Sequence, residues 1–245
     1  MDYIKKTIRF ILSPFIFFDY LKFKKFNNNR FSTKFSDFYP CIKDKTVKTN
    51  FDTHYVYHTS WAARKVKEIG SNKHTDVASS LFFSGIVSAF IPVDFYDYRP
   101  ANLKLPGLTS RHADLTKLHF ADNSINSLSC LHTIEHIGLG RYGEPIDPDA
   151  DLKAISELIR VLGPGGSLLF VTPIGKPRIQ FNAHRIYSYA QIREYFKILT
   201  LKEFSLIPDH GREIGMIYNA TKEQADEQTY GCGCFWFIKP ESSKQ

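Results

Sequence analysis

Between Ser110 and Gly175 the hydrophobic pattern changes period twice, and that order restricts the fold more than any other feature of the chain. An Asp-bearing strand end at Asp114 leads into a turn from Ala121 to Asn126. An apolar strand follows and runs out into ionisable residues, Ser127 to His136. Beyond a Gly- and Pro-rich loop from Gly138 to Asp151, the spacing of Leu152, Ile155, Leu158, Ile159 and Leu162 predicts one apolar face of a helix. A Gly163-Pro164-Gly165-Gly166 turn then opens an all-apolar strand, Ser167 to Val171. Strand, crossover helix, strand is the unit of a parallel sheet, which places the chain in the α/β class.

The remaining elements agree. Tyr55–Ile69 reads as a helix ended by Gly70-Ser71-Asn72. Short strands are expected at Thr75–Ala78 and Ile91–Tyr98, a helix at Ser188–Lys197 with Ser188 as N-cap, and two late strands at Leu199–Ile207 and Cys234–Ile238. A chain of 245 residues suits one such domain with an extension. The charge distribution marks where the extension lies. Residues 1–50 hold 11 of the 32 basic and 4 of the 25 acidic residues, so the other 195 are formally neutral. The division read from this is a basic aromatic extension, 1–50, and a catalytic-type domain, 51–245.

In the extension, Lys5, Lys6 and Arg9 precede an apolar run, Phe10 to Phe18, and Lys22, Lys24 and Lys25 follow it. The run is shorter than the ~20 residues a spanning helix needs. No small-residue cleavage site follows it, as a signal peptide would require. An interfacial segment over residues 1–30, meeting an anionic membrane surface, is one expectation. A packing or oligomerisation arm is the other. Pro14 would bend a helix there, and Asn27-Asn28-Asn29 reads as a hinge. No stacking platform for nucleic acid is evident. The four cysteines, at 41, 130, 232 and 234, form neither a zinc-finger spacing nor a secreted disulfide framework. Reduced thiols and a cytoplasmic protein, peripheral at the inner membrane face in the interfacial reading, are expected. Cys232-Gly-Cys234 lacks a second Cys pair and reads as a strand start rather than a metal site.

Three strings together carry a resemblance: Asp114-Leu115-Thr116-Lys117-Leu118-His119-Phe120-Ala121-Asp122, the strand ending Glu135-His136, and Leu158-Ile159-Arg160-Val161-Leu162-Gly163-Pro164-Gly165-Gly166. In this order and separation they resemble the class I S-adenosylmethionine-dependent methyltransferases, over about Thr75 to Pro173. The resemblance implies a doubly wound, mostly parallel seven-stranded sheet with an antiparallel last strand, the Rossmann-like methyltransferase fold. It also implies S-adenosyl-L-methionine as cofactor, bound beyond the carboxyl ends of the strands. On that basis Asp97 would accept the two ribose hydroxyls, Asp114 would meet the adenine amino group and Leu115 would lie against the ring. The family's first motif carries glycines; here the positions read Asp76-Val77-Ala78-Ser79-Ser80-Leu81-Phe82, with no glycine before Gly85. Asp76, Ala78, Ser79 and Ser80 are therefore the expected cofactor loop, in which a positive φ would be strained.

Methyl transfer to a hydroxyl requires a base, and histidine titrates nearest neutral pH. His132 and His136 enter the cleft from the fourth strand, and His184 follows the fifth. Arg141, Tyr142 and Arg185 are the expected substrate contacts, an Arg pair suiting phosphate or carboxylate. The H-x-x-E-H string matches a metalloprotease motif, but that chemistry needs both histidines on one helix face. Some quinone-pathway O-methyltransferases resemble the chain here with Glu in place of His132. A divalent ion at His132, Glu135 and His136 is the variant that this implies, beside the leading expectation of no metal. The function expected is O-methylation of a small or carbohydrate-type acceptor, most sharply in surface polysaccharide or glycolipid assembly. The alternative is a non-catalytic methyltransferase-like binding subunit.

Overall fold

A computed structural model describes residues 14–28, 30–42 and 44–241. The chain divides into two compact units, Met1–Phe51 and Asp52–Gln245. In the first unit, helix α1 spans Pro14–Phe26 and buries none of its residues. Proline is tolerated in a first helical turn, where its missing N–H would have no partner. Phe17 and Tyr20 meet Phe35 and Phe38 in a small aromatic cluster, and the Tyr20 hydroxyl donates to the Thr33 carbonyl at 2.7 Å. Phe15, Phe18, Phe23 and Phe26 stay exposed. Lys5, Lys6, Arg9, the run as far as Ser13, and Asn29 of the expected hinge lie outside the described residues.

In the second unit, α2 (Thr53–Ile69) is capped by the Asp52 carboxylate, which accepts from Tyr55 N–H, and closed by Gly70 at φ +68°. Its buried side chains, His58, Trp61, Ala62 and Val66, recur at helical spacing. Trp61 Nε1–H donates to Glu203, fixing the helix over the last strands. Strand β1 (His74–Val77) precedes a short α3 (Leu81–Val87), then come β2 (Val93–Asp97), β3 (Leu108–His112) and β4 (Ile125–Leu131). A single 3-10 turn, Ile134–His136, ends the β4 run. Helix α4 (Ala150–Val161) crosses to β5 (Leu162–Ile174), and a small hairpin, β6 (Arg178–Gln180) with β7 (His184–Ile186), follows. Helix α5 (Tyr189–Tyr195), β8 (Thr200–Ile207), two short helices α6 (Gly211–Ile214) and α7 (Lys222–Asp226), and β9 (Gly231–Ile238) complete it.

The main sheet has the order β3-β2-β1-β4-β5-β9-β8. β1 to β5 pair in parallel, and β9 runs antiparallel to both β5 and β8. This is the expected seven-stranded, doubly wound sheet with an antiparallel last strand. Strand order reverses between β1 and β4, so the ends of those two strands define the crevice. β4 and β5 are buried along nearly their whole length, as the central strands of a parallel sheet covered on both faces are.

Three local expectations are corrected. Leu152 is exposed; the face that α4 buries is Ala150, Asp151, Ala154, Ile155, Leu158 and Val161. Small Ala154 allows close approach, and Ile155, Leu158 and Val161 supply about 1.5–3 kcal/mol each on full burial. The Gly163–Gly166 segment is a bulge within β5 rather than a turn before it. Ile125 pairs with Leu162 and Ser127 with Ser167, so four residues loop out opposite one, with Gly165 at φ +70°. The third strand ends at His112, and Asp114 lies past it in an isolated bridge to Lys117. Ser188 caps α5 through a complete capping box with Gln191, as a Ser-x-x-Gln sequence favours.

Candidate active site

A cleft of about 340 Å³ opens at the carboxyl ends of β1, β2 and β4, where sheet order reverses. Its lining includes Ala78, Asp97, Asp114, Leu115, His132, His136 and Tyr142 from the expected set, together with Arg99, Thr133 and Gly138, which were not singled out from sequence. Seven of the anticipated residues, from five separate segments, thus share one crevice. Gly138 was legible only as part of a long loop. It sits at φ +78°, and a Cβ there would come within 2.1 Å of the Asp147 carbonyl, so the loop closes over the cleft only with glycine.

Asp97 and Asp114 each use one oxygen locally and keep the other. Asp97 Oδ1 accepts from Arg99 N–H at 2.7 Å. Asp114 Oδ1 accepts from the Thr116 N–H and hydroxyl at 2.8 and 2.7 Å. These Asx-type turns fix both carboxylates at the cleft wall. Leu115, buried between them and the core, supplies an apolar surface. An apolar wall flanked by two carboxylates fits the adenosine of S-adenosylmethionine: vicinal hydroxyls for Asp97, an exocyclic amine for Asp114 and a ring face for Leu115.

Other members of the expected loop point elsewhere. Asp76 is fully buried and does not line the cleft. Its carboxylate accepts from the hydroxyls of Ser79, Ser129 and Ser84, each at 2.5 Å. Burial pushes the Asp76 carboxyl up to about 6, against the opposing pull of those three donors. Ser79 also accepts from Leu131 N–H at 2.9 Å, and Ser80 caps α3 by accepting from Phe82 N–H. The network continues through Ser129 to His74, whose two ring nitrogens pair with Ser129 and Ser127, and burial drives that imidazole down to about 3. Asp76, Ser79 and Ser80 therefore support the loop, and only Ala78 of the four faces the cleft. Ala78 has φ +58°, the left-handed geometry that a glycine would take without strain. Ala78 N–H donates to Tyr96 O at 2.7 Å, and Thr133 Oγ1 donates to Ala78 O at 2.8 Å.

The histidines divide in role. His136 Nδ1 lies 2.6 Å from Ala183 O, a separation that requires the proton on Nδ1 and leaves Nε2 as the basic atom. Arg141 donates to the same carbonyl at 3.0 Å. Burial holds the His136 pKa below its ordinary value, so the ring is neutral at pH 7. His132 also adopts φ +56°, and its Nδ1 lies 2.6 Å from Glu135 Oε1. Burial opposes its charging, yet Cys232 and Glu135 beside it raise its pKa well above the ordinary value. Glu135 Oε1 lies between the two rings, 2.6 Å from His132 Nδ1 and 3.8 Å from His136 Nε2. The segment is a strand end and one 3-10 turn, so the helical metalloprotease geometry is absent from it. His184 lies off the cleft lining, stacked on Tyr230 with centroids 5.2 Å apart, with burial lowering its pKa.

Of the expected substrate contacts, Tyr142 lines the cleft and carries Arg99 over its ring at 4.4 Å and Arg141 at 5.2 Å. Arg185 does not reach it. That guanidinium is buried, donates to Ile137 O at 2.6 Å and Pro148 O at 3.1 Å, and pairs with Asp151 at 3.6 Å, bracing the loop from beneath.

Residues 111–227 match a family model described as Caenorhabditis protein of unknown function, DUF268. No curated protein matches the sequence. Among solved structures, the [4+2]-cyclase SpnF aligns with a TM-score of 0.55 at 14% identity, over 75% of this chain and 80% of its own. A sarcosine dimethylglycine methyltransferase assigned in Galdieria sulphuraria aligns with a TM-score of 0.54 at 14% identity, over 75% and 85%. The N-methyltransferase NodS of Bradyrhizobium japonicum, in complex with S-adenosylhomocysteine, gives 0.50 at 12% identity, over 75% and 86%. At these identities the likeness is one of fold, and the fold is that of the class I methyltransferases. Because a cyclase shares it, the reaction must be argued from the site.

Proposed function

We propose that the protein is an S-adenosylmethionine-dependent methyltransferase acting on a hydroxyl of a small or carbohydrate-type acceptor. The observation that carries this reading is His136: its Nδ1 is fixed by Ala183 O, which leaves Nε2 as the basic atom of a residue that lines the same cleft as Asp97 and Asp114. When bound, the cofactor supplies an electrophilic methyl group. Asp97, Asp114 and Leu115 would hold its adenosine, and Ala78 would pass close to its amino-acid part. His136 Nε2 would take the proton from the acceptor hydroxyl and pass it to solvent. Arg99 and Arg141, both packed on Tyr142, bring two guanidinium groups to that side of the cleft, which would suit an acceptor bearing phosphate or carboxylate. A lipid-linked or surface glycan combines such a group with hydroxyls. The exposed aromatic and lysine side chains of α1 support peripheral binding at an anionic membrane, with the protein on the cytoplasmic side. Among the described residues, no helix is long and apolar enough to cross a membrane.

Calorimetric titration with S-adenosylhomocysteine is the deciding experiment. Saturable binding, weakened at least tenfold (about 1.4 kcal/mol) in a folded Asp97→Ala variant, is expected. Absence of binding by the intact chain would turn the reading to a non-catalytic binding subunit.

A further inference from the structure

Behind the cleft, three groups from three elements converge. His54 in the first turn of α2, His132 at the end of β4 and Cys232 in β9 each offer one ligand atom, and these atoms lie within 4.8 Å of one another. Cys232 and His132 are buried, and His54 is partly so. His132 Nδ1 is committed to Glu135, so the nitrogen left for the cluster is Nε2, which is buried and has no hydrogen-bond partner. One turn further along α2, His58 is completely buried, and neither of its ring nitrogens has a hydrogen-bond partner. Its ring centroid lies 5.1 Å from that of His132. Unsatisfied buried polar atoms are costly and rare in native proteins, and here three of them belong to two neighbouring imidazoles, one of which faces the Cys232 thiol.

We propose that His54, His132 and Cys232 form a binding site for one transition-metal ion of borderline softness, with Zn²⁺ as the type. The donor set selects the class of metal. Two imidazoles and a thiolate suit zinc or cobalt, whereas magnesium and calcium require oxygen ligands. Glu135 takes the supporting position, its carboxylate holding the far nitrogen of His132, which is the arrangement that orients metal-ligating imidazoles. A tetrahedral ion at about 2.0–2.1 Å from nitrogen and 2.3 Å from sulfur places its ligand atoms roughly 3.4 Å apart, so the present cluster closes by about an ångström through side-chain rotation. On binding, the Cys232 thiol and any proton on His132 Nε2 go to solvent, and two nitrogen–metal bonds and one sulfur–metal bond form. The fourth position is left to His58 or to water. Such an ion would tie α2 and β9 to the strand end that carries the 132–136 turn. The site is independent of the methyl-transfer reading, and it uses Glu135 as support rather than as a ligand.

The test uses the full chain, stripped with chelator and titrated with Co²⁺, followed by Zn²⁺ competition. One equivalent of Co²⁺ should give a thiolate-to-cobalt charge-transfer band with the intense visible bands of tetrahedral cobalt, and Zn²⁺, but not Mg²⁺, should abolish them. Cys232→Ser should remove the charge-transfer band while Cys41→Ser keeps it. His54→Ala should weaken Zn²⁺ binding at least tenfold, with an unchanged circular dichroism spectrum of the metal-free protein. No charge-transfer band in the intact chain, a band that survives Cys232→Ser, or unaltered affinity in His54→Ala overturns the assignment. Should Cys232→Ser not fold, His54→Ala decides alone, since that residue is only partly buried on the helix's first turn.

Discussion

Asp76 offers a direct measurement of the balance beneath the cofactor loop. Its carboxylate is fully buried and receives three hydroxyl donors, so burial and hydrogen bonding pull its pKa in opposite directions. Burial dominates, and the folded-state value stands at about 6 against 3.8 for the free side chain. A folded pKa above the unfolded one means that folding favours the protonated form. The stabilisation is complete below about 3.8 and is lost as pH rises through about 6, amounting to about 3 kcal/mol over that window. His74, the next ionisable group along the network, is held down to about 3 and stays neutral throughout it. Asp97 is the other neighbouring charge, and it too disfavours the Asp76 anion. Asp76→Asn removes the titration while keeping Oδ1 for Ser79 and Ser129, and Ser84 turns its hydroxyl to accept from the new amide. Urea unfolding of both proteins across this range should therefore show the wild type losing about 3 kcal/mol relative to the variant as pH rises. Parallel curves, or a wild type that gains on the variant, would falsify the claim that burial outweighs the three donors.

Other consequences follow from the cleft. His136→Asn should lower turnover about 10²-fold with little change in S-adenosylhomocysteine affinity; a turnover close to wild type would place the base elsewhere. Because burial depresses the His136 pKa, the acid limb of the wild-type rate profile should fall below pH 6.5, and an inflection above 6.5 would contradict the neutral-imidazole assignment. Gly138→Ala should cost at least about 1–3 kcal/mol through its positive φ and its contact with Asp147 O, and should weaken cofactor binding by opening the loop; an unchanged melting temperature would refute the tight closure. The intact chain, but not a form starting at Phe51, should sediment with anionic vesicles and be released by salt, each exposed lysine near the surface adding about 1 kcal/mol. Equal sedimentation of both forms would remove the membrane reading.

The parallel core was legible because period and length agree there: β4 ends on Leu128, Cys130 and Leu131, β5 carries the apolar run Leu168 to Val171, and the helix between them shows a 3.6-residue repeat. What the pattern misjudged was which residues face inward. Leu152 is apolar yet exposed, while the smaller Ala154 and the charged Asp151 are buried, because close packing of α4 and a hydrogen bond from the Tyr187 hydroxyl to Asp151 at 2.8 Å set its rotation. Among the site residues, those read from strand ends, Asp97, Asp114, His132 and His136, share one cleft because the sheet itself aligns strand ends. Arg185, read from its nearness to β5 in sequence, turns inward instead to satisfy the Ile137 and Pro148 carbonyls. The His54–His132–Cys232 group left little trace: a helix starting at Tyr55 excluded its first member, although His54 and His58 stand one turn apart on a face that the Asp52 cap extends. The glycine-poor loop was the sharpest conflict between local and family-level reasoning. Its resolution lies in partners far along the chain, since the Ala78 backbone is held in left-handed geometry by Tyr96 O on one side and the Thr133 hydroxyl on the other. An alanine at φ +58° costs about 1 kcal/mol or more, comparable to one net hydrogen bond of the kind made at each of its two backbone groups, so β2 and the β4 end sustain a turn that glycine would have formed unaided.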